Sequence, residues 1–321
     1  MNVALVCGAS VEELLLTTGA VYLARPEHDA AAIRLVLRDA CQPALGEALI
    51  ETPPCTSEEE LAFAKRVWTG FEHATAGKGA PKSNTNLRHF AYACATEDET
   101  MPEIVHRYLR LGFREGPSIY ANITNAHVEQ FLSLVRRTSN ECEKTRQFAR
   151  FTQQTDGSFV AALSPAANTI PLVASYFAAR MRPERFVLID KKRRIVAFHE
   201  RNRARCALAA VEQSFIEELT ASKHTSSEEQ YIQAMWKHFY DAMELEGRRK
   251  EQRGYDLRVS WMPKRLWADL PELSALSDDP GTFVPKRYAS SRDSDTSKLS
   301  APISNASLSK LGSPERRHAI D

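Results

Sequence analysis

The chain has 321 residues, of which 43% are hydrophobic and 26% charged, with a net charge of +1, values of an ordinary soluble protein of one large or two small domains. No apolar run approaches the roughly 20 residues needed to cross a bilayer, and the first sixteen residues lack the basic start of a signal peptide, so a cytoplasmic protein without a membrane association is expected. Cys7, Cys41, Cys55, Cys94, Cys142 and Cys206 show no C-x-x-C spacing, which argues against a zinc site, an iron–sulfur site or a disulfide framework.

Residues 1–145 read as mainly helical. Ser10 with Glu13, and Ser57 with Glu60, have the spacing in which two side chains satisfy each other's open N–H at a helix start. After Ser57, the residues Leu61, Ala64, Val67, Trp68 and Phe71 fall on one helical face. "TAGKGAPKSNTN" (75–86) is loop-like in composition. Pro102 suits a first turn, and the helix it opens runs to a stop at Gly112. Another helix covers Ala126 to about Thr145, with Val128, Phe131, Leu132 and Val135 inward.

The period changes near residue 147. Asp156-Gly157 between β-rich runs is a strong hairpin signal. "NTIPLVASYFAARM" reads as a helix, and "RFVLID" and "RIVAFH" flank the cationic turn Lys191-Lys192-Arg193-Arg194 as a second hairpin. A fifth strand is expected within Arg205–Val211. Ser227 with Gln230 then opens a helix whose Ile232, Met235, Trp236, Phe239 and Met243 have the spacing of a core-facing stripe. The expected fold is therefore α+β: a helical N-terminal half, and across 146–273 a mainly antiparallel sheet of four to five strands with helices on one face. The Ser-rich segment 274–321 has too few apolar residues to offset the entropy of ordering it, and is expected to be disordered.

Charge is unevenly distributed. Residues 1–100 hold 14 acids against 8 Lys and Arg, whereas residues 180–205 hold 10 Lys and Arg against 3 acids. An acidic partner for the second half is one explanation, and plain solvated charge is the other. Nine histidines form no H-E-x-x-H and no i,i+4 pair, G-x-S-x-G is missing, and "AGKGAPKS" fails the spacing of a phosphate loop. No dedicated cofactor is indicated. Arg180 just before the hairpin, Lys191, Lys192, Arg193 and Arg194 at its turn, and Trp261, Lys264 and Arg265 further on are candidate contacts to a polyanion backbone. Such contacts would position a strand without reading its sequence.

Taken in order, "VWTGF" (67–71), "YLRLGFREG" (108–116), "RFTQQTDGSFVAALSP" (150–165), "IPLVASYFAARM" (170–181), "FVLIDKKRRIVAFH" (186–199) and "WMPKRLWADLPE" (261–272) resemble a bacterial domain-of-unknown-function family of DNA-metabolism proteins. Members are described as the linked partner of a radical-SAM protein of DNA modification or repair, and the domain also occurs fused to a uracil-DNA-glycosylase-like domain. The resemblance spans roughly residues 1–272 and implies the bacterial cytoplasm, DNA metabolism and a radical-SAM protein as partner; the expected ligand is DNA, with RNA as the alternative. Radical chemistry would belong to that partner, because this chain has no C-x-x-x-C-x-x-C motif. Members often carry Asp, His and His where this chain has Asn168, Tyr176 and Trp261, while Arg180, Asp190, Lys264 and Arg265 are kept. Three roles follow as expectations: a nucleic-acid-associated accessory protein, an enzyme acting on nucleic acid with Asp190 as its candidate acid–base group, and a scaffold that binds protein alone.

Overall fold

Strong local signals recur where the sequence places them in the computed structural model, which describes residues 3–8, 10–24, 33–37, 48–51, 57–242 and 262–270. These all lie within one compact unit, Met1–Ser277. The tail 274–321 and Trp261 are outside the described residues.

The N-terminal half contains more than helices. β1 (Val3–Cys7), α1 (Val11–Ala24), β2 (Ile33–Leu37) and β3 (Ala48–Glu51) include a three-stranded parallel sheet in the order β2-β1-β3. Strands such as "VALVC" and "IRLVL" are short and nearly continuous in apolar residues, a pattern that periodicity cannot separate from a buried helix segment. Four helices follow: α2 (Glu58–Ala74), α3 (Ser83–Cys94), α4 (Met101–Glu115) and α5 (Ala126–Phe148). Ser57 and Glu60 make the reciprocal cap of α2, as their spacing indicates. Phe71, Phe90, Tyr108 and Phe131 from these four helices form one aromatic core, with Tyr108 and Phe131 stacked at 3.9 Å. Gly112 does not stop α4. It sits inside the helix where a Cβ would lie 2.4 Å from the Phe71 ring, and Gly116, at φ +62°, is the residue that ends it.

The second half is built on a five-stranded sheet. Its elements are β4 (Thr152–Gln153), β5 (Phe159–Leu163), α6 (Ile170–Arg180), β6 (Phe186–Asp190), β7 (Ile195–His199), β8 (Ala207–Ala210), α7 (Gln213–Thr220) and α8 (Ser227–Ala242). The spatial order is β4-β5-β6-β7-β8, antiparallel except for the β5–β6 pair, which α6 connects. Both hairpins form where their turns were expected, and the α+β class holds. One sheet face, with Ala161, Leu163, Phe186, Leu188 and Ala197, joins α6 and the helical core in a single cluster. Helical cover extends to the other face too, where Val160, Val187, Ile189 and Val196 pack against Ile216 of α7. All five residues of β6 are consequently buried.

Two expectations for α8 are corrected. Its cap is Ser226, whose Oγ accepts from Glu229 N at 3.1 Å, not Ser227. The stripe read as core is exposed in its described part, with Ile232 and Met235 about half accessible, because α8 follows the sheet's edge instead of entering the core. At the C-terminal end of the described chain, a short 3-10 helix, Lys264–Asp269, brings Met262, Leu266, Trp267 and Leu270 onto Phe148 of α5.

Candidate nucleic-acid interface

The cationic turn between β6 and β7 is held from within. Asp190, the last residue of β6, is fully buried, and its Oδ1 accepts from Lys192 N and Arg193 N, both at 3.0 Å. Its Oδ2 takes Arg193 Nη1 at 2.6 Å, and the same guanidinium reaches Pro165 O at 3.1 Å and Glu97 at 2.5 Å. Lys192 pairs with the other oxygen of Glu97, and Lys191 pairs with Asp269 of the C-terminal turn. Arg194 occupies the left-handed region at φ 55° to close the turn and has only a loose approach to exposed Glu212, at 3.9 Å. Three of the four cations are thus matched by carboxylates. Asp190 itself spends its acceptor capacity on the turn, the geometry of a structural anchor.

The segment carrying Lys264 and Arg265 does adjoin this turn, through Lys191–Asp269 and through Ser164 N, which donates to Asp269 at 2.9 Å. It brings more neutralised charge. Arg265 binds Glu141 at 2.5 Å, and Glu141 also accepts from Ala166 N at 2.8 Å, with Lys144 at 3.6 Å. Burial pushes the Glu141 carboxyl up, but Arg265 and the Ala166 N–H outweigh it and hold the group below the ordinary range. Trp267 is buried and donates Nε1–H to Met262 O, so its ring is no platform for a base, and Lys264 stands 6.0 Å above it.

The opposite end of the same hairpin differs. Arg180 ends α6, Arg182 lies in the following turn, and Arg201, Arg203 and Arg205 alternate along the loop from β7 to β8. Asn202 N donates to Arg182 O at 2.7 Å, and Cys206 Sγ approaches Ala174 O, so loop, turn and helix are in contact. His199 ties them together from beneath. It is buried, stacked on Phe186 at 4.7 Å, and its Nδ1 and Nε2 each lie 2.9 Å from a carbonyl, of Glu184 and Arg203 respectively. The five arginines are exposed, and among the described residues none of them is ion-paired.

Arg180 also borders a cleft of about 590 Å³ between α5 and α6. Its walls carry Arg146, Arg150 and Tyr176, none of which sequence reasoning selected as a ligand contact. Tyr176 is 39% exposed, receives Arg180 Nη1 at 3.4 Å on its hydroxyl, and has the Arg146 guanidinium 5.4 Å from its ring. Asn168 donates its backbone N–H to Ala95 O at 2.8 Å, while its side-chain Oδ1 is buried with no hydrogen-bond partner among the described residues. The structure therefore brings Lys191, Lys192, Arg193 and Arg265 together among acids, and sets Arg180 apart from them. The arginine-rich loop was visible as R-x-R-x-R; its freedom from acids was not.

Among the described residues, no group of three or more His, Cys, Asp or Glu side chains has the placement to hold a metal ion, and no helix is long and apolar enough to cross a membrane. No curated protein and no solved structure matches the chain. The profile of a domain of unknown function, DUF4130, matches residues 99–272, more than half of the chain and all of the five-stranded sheet. The protein belongs to the DUF4130 family.

Proposed function

We propose that this chain is a nucleic-acid-associated accessory protein of DNA metabolism or repair in the bacterial cytoplasm, gripping the phosphate backbone at the arginine end of its sheet and working with a radical-SAM partner. The observation that carries the binding reading is the cluster Arg180, Arg182, Arg201, Arg203 and Arg205, exposed, without ion pairs among the described residues, and joined through His199. Guanidinium groups suit bidentate contacts to phosphate, and each phosphate neutralised releases counterion. Tyr176, beside this cluster and partly exposed, offers a ring for a neighbouring base. Such a grip fixes a strand's position and leaves sequence choice elsewhere. The radical-SAM partnership draws its support from the family resemblance alone.

The test is an anisotropy titration of the full chain with labelled single-stranded DNA, duplex DNA and RNA at low and near-physiological salt. Binding that weakens steeply with salt and is strongly reduced in R201E/R203E/R205E supports the reading; no binding of the parent at low salt removes it and leaves a protein-only scaffold. Co-purification with the product of an adjacent radical-SAM reading frame tests the partnership separately.

An enzymatic reading has one observation of its own. Asp269 sets its carboxyl beside Lys191 at the wall of a cavity, and burial raises it more than Lys191 and the Ser164 N–H lower it. That makes Asp269, in place of Asp190, the group to substitute when an activity is sought.

A further inference from the structure

The cleft that Arg180 borders is formed by one face of each of two helices. From α5 it takes Glu143, Arg146 and Gln147, which helical spacing sets side by side. Tyr176, Phe177 and Arg180 of α6, with Met181 after them, form the facing wall. Chemistry changes from its floor to its rim. Phe177 is buried and meets the Phe151 ring edge-on at 5.3 Å, so the floor is aromatic. Tyr176 stands partly exposed in the wall, its orientation fixed by the Arg146 guanidinium against its ring and by Arg180 on its hydroxyl. Arg146 is answered by Glu143 and adds a flat, neutralised group beside the ring. The rim is cationic at Arg180. From there the chain passes through Met181 to Arg182, whose carbonyl accepts from Asn202 of the arginine-rich loop. An aromatic recess therefore opens directly onto the unpaired arginines.

We propose that this cleft receives one unpaired nucleobase of the strand whose backbone the arginine end holds, which makes the ligand a single-stranded nucleic acid. The inference rests on the backbone grip proposed above and adds its strand class. The phosphates follow Arg180, Arg182 and the loop arginines, while a base turns inward against Tyr176. A phosphate alone would use the rim and leave the aromatic wall uncovered; an apolar peptide side chain would use the wall and leave the arginines unanswered. At about 590 Å³ the cleft is within the range of small-ligand sites, roughly 300–1,000 Å³, and has room for a base with its sugar. In a duplex each base is covered by its stacked neighbours and its edge is paired, so it reaches a recess between two helices only after it has been unstacked and unpaired. A single strand offers its bases without that cost, and any base has a face to stack, so the site selects strandedness and not sequence.

Anisotropy titration of the full chain with three labelled DNA probes of equal length tests the proposal: a single strand, the same strand with abasic sugars throughout, and the duplex. The first two carry the same phosphates, so a backbone grip alone binds them equally. With a base in the cleft, the abasic strand and the duplex should each bind about tenfold more weakly than the single strand, and the abasic strand should keep the single strand's salt dependence. Tyr176→Ala, checked by thermal melting to be folded, should erase most of the difference between the base-bearing and abasic strands, and Tyr176→Phe, which keeps the ring, should restore it. Salt-sensitive binding that is equal for the base-bearing and abasic strands overturns the base site and leaves the backbone grip standing. So does a duplex bound as tightly as the single strand, or a folded Tyr176→Ala that discriminates like the parent. The probe comparison on the parent decides the matter even if that variant fails to fold. No binding of any probe by the parent at low salt overturns the grip, and the base site with it. R201E/R203E/R205E should weaken the base-bearing and abasic strands alike, a pattern that separates loss of the grip from loss of the cleft.

Discussion

The two ends of the β6–β7 hairpin carry similar positive charge and opposite electrostatics. At the turn end, Lys191, Lys192 and Arg193 are met by Asp269, Glu97 and Asp190, and Arg265 nearby is met by Glu141. At the loop end, Arg182, Arg201, Arg203 and Arg205 meet no carboxylate among the described residues, and Glu200 is engaged by Arg185. A run of cations in a sequence therefore reports charge, not field. What matters to a polyanion is the balance after folding, and here long-range contacts cancel the denser cluster and spare the sparser one.

That contrast can be broken in graded ways. The largest effect is expected at the paired end. Asp190→Ala strips a buried partner from Arg193 and two N–H groups, and should lower stability by about 3–5 kcal/mol in urea unfolding. A loss below about 1 kcal/mol would show the turn is not anchored there. Glu141→Gln comes next, at about 2 kcal/mol, through Arg265 and Ala166. Its effect should depend on pH with a fixed sign. The Glu141 carboxyl is held below its ordinary 4.5 when folded, so its stabilisation is complete above that value and fades as pH falls through the lower, folded one. Stability curves of the parent and the variant should accordingly converge in acid.

At the open end, His199→Leu preserves bulk over Phe186 but takes the ring nitrogens away from the Glu184 and Arg203 carbonyls. A cost of about 1–3 kcal/mol is expected, together with weaker oligonucleotide binding although no arginine is removed. Unchanged binding would mean that the loop holds its shape without the histidine. The smallest effect belongs to Glu212→Gln, since Arg194 and Glu212 are exposed and 3.9 Å apart; a change within about 0.5 kcal/mol is expected by thermal melting.

Local patterns told much of this fold and little of this site. The hairpins, the capped start of α2 and the inward face of α5 follow from residues within a few positions of one another. Glu97 meets Lys192 across 95 residues and Arg265 meets Glu141 across 124, distances at which spacing carries no signal. The basic turn therefore looked open in sequence and is closed in space. The parallel N-terminal sheet escaped for a different reason, its short apolar strands lacking the alternation that marks a half-buried strand. In α8 the pattern was present and its meaning differed, since an amphipathic stripe states which face is apolar and not what covers it.

On the proposed function, the loop end and not the turn end presents the field that a phosphate backbone meets. The most direct measurement is the salt dependence of oligonucleotide affinity for three proteins: the parent, R201E/R203E/R205E, and a turn variant with Lys191, Lys192, Arg193 and Arg194 changed to Gln. The slope of log affinity against log salt should fall by about 2 in the loop variant, at roughly 0.7 for each single-strand phosphate no longer neutralised, and stay near the parent's in the turn variant. A turn variant whose slope collapses while the loop variant keeps the parent's would place the backbone contact at the turn instead.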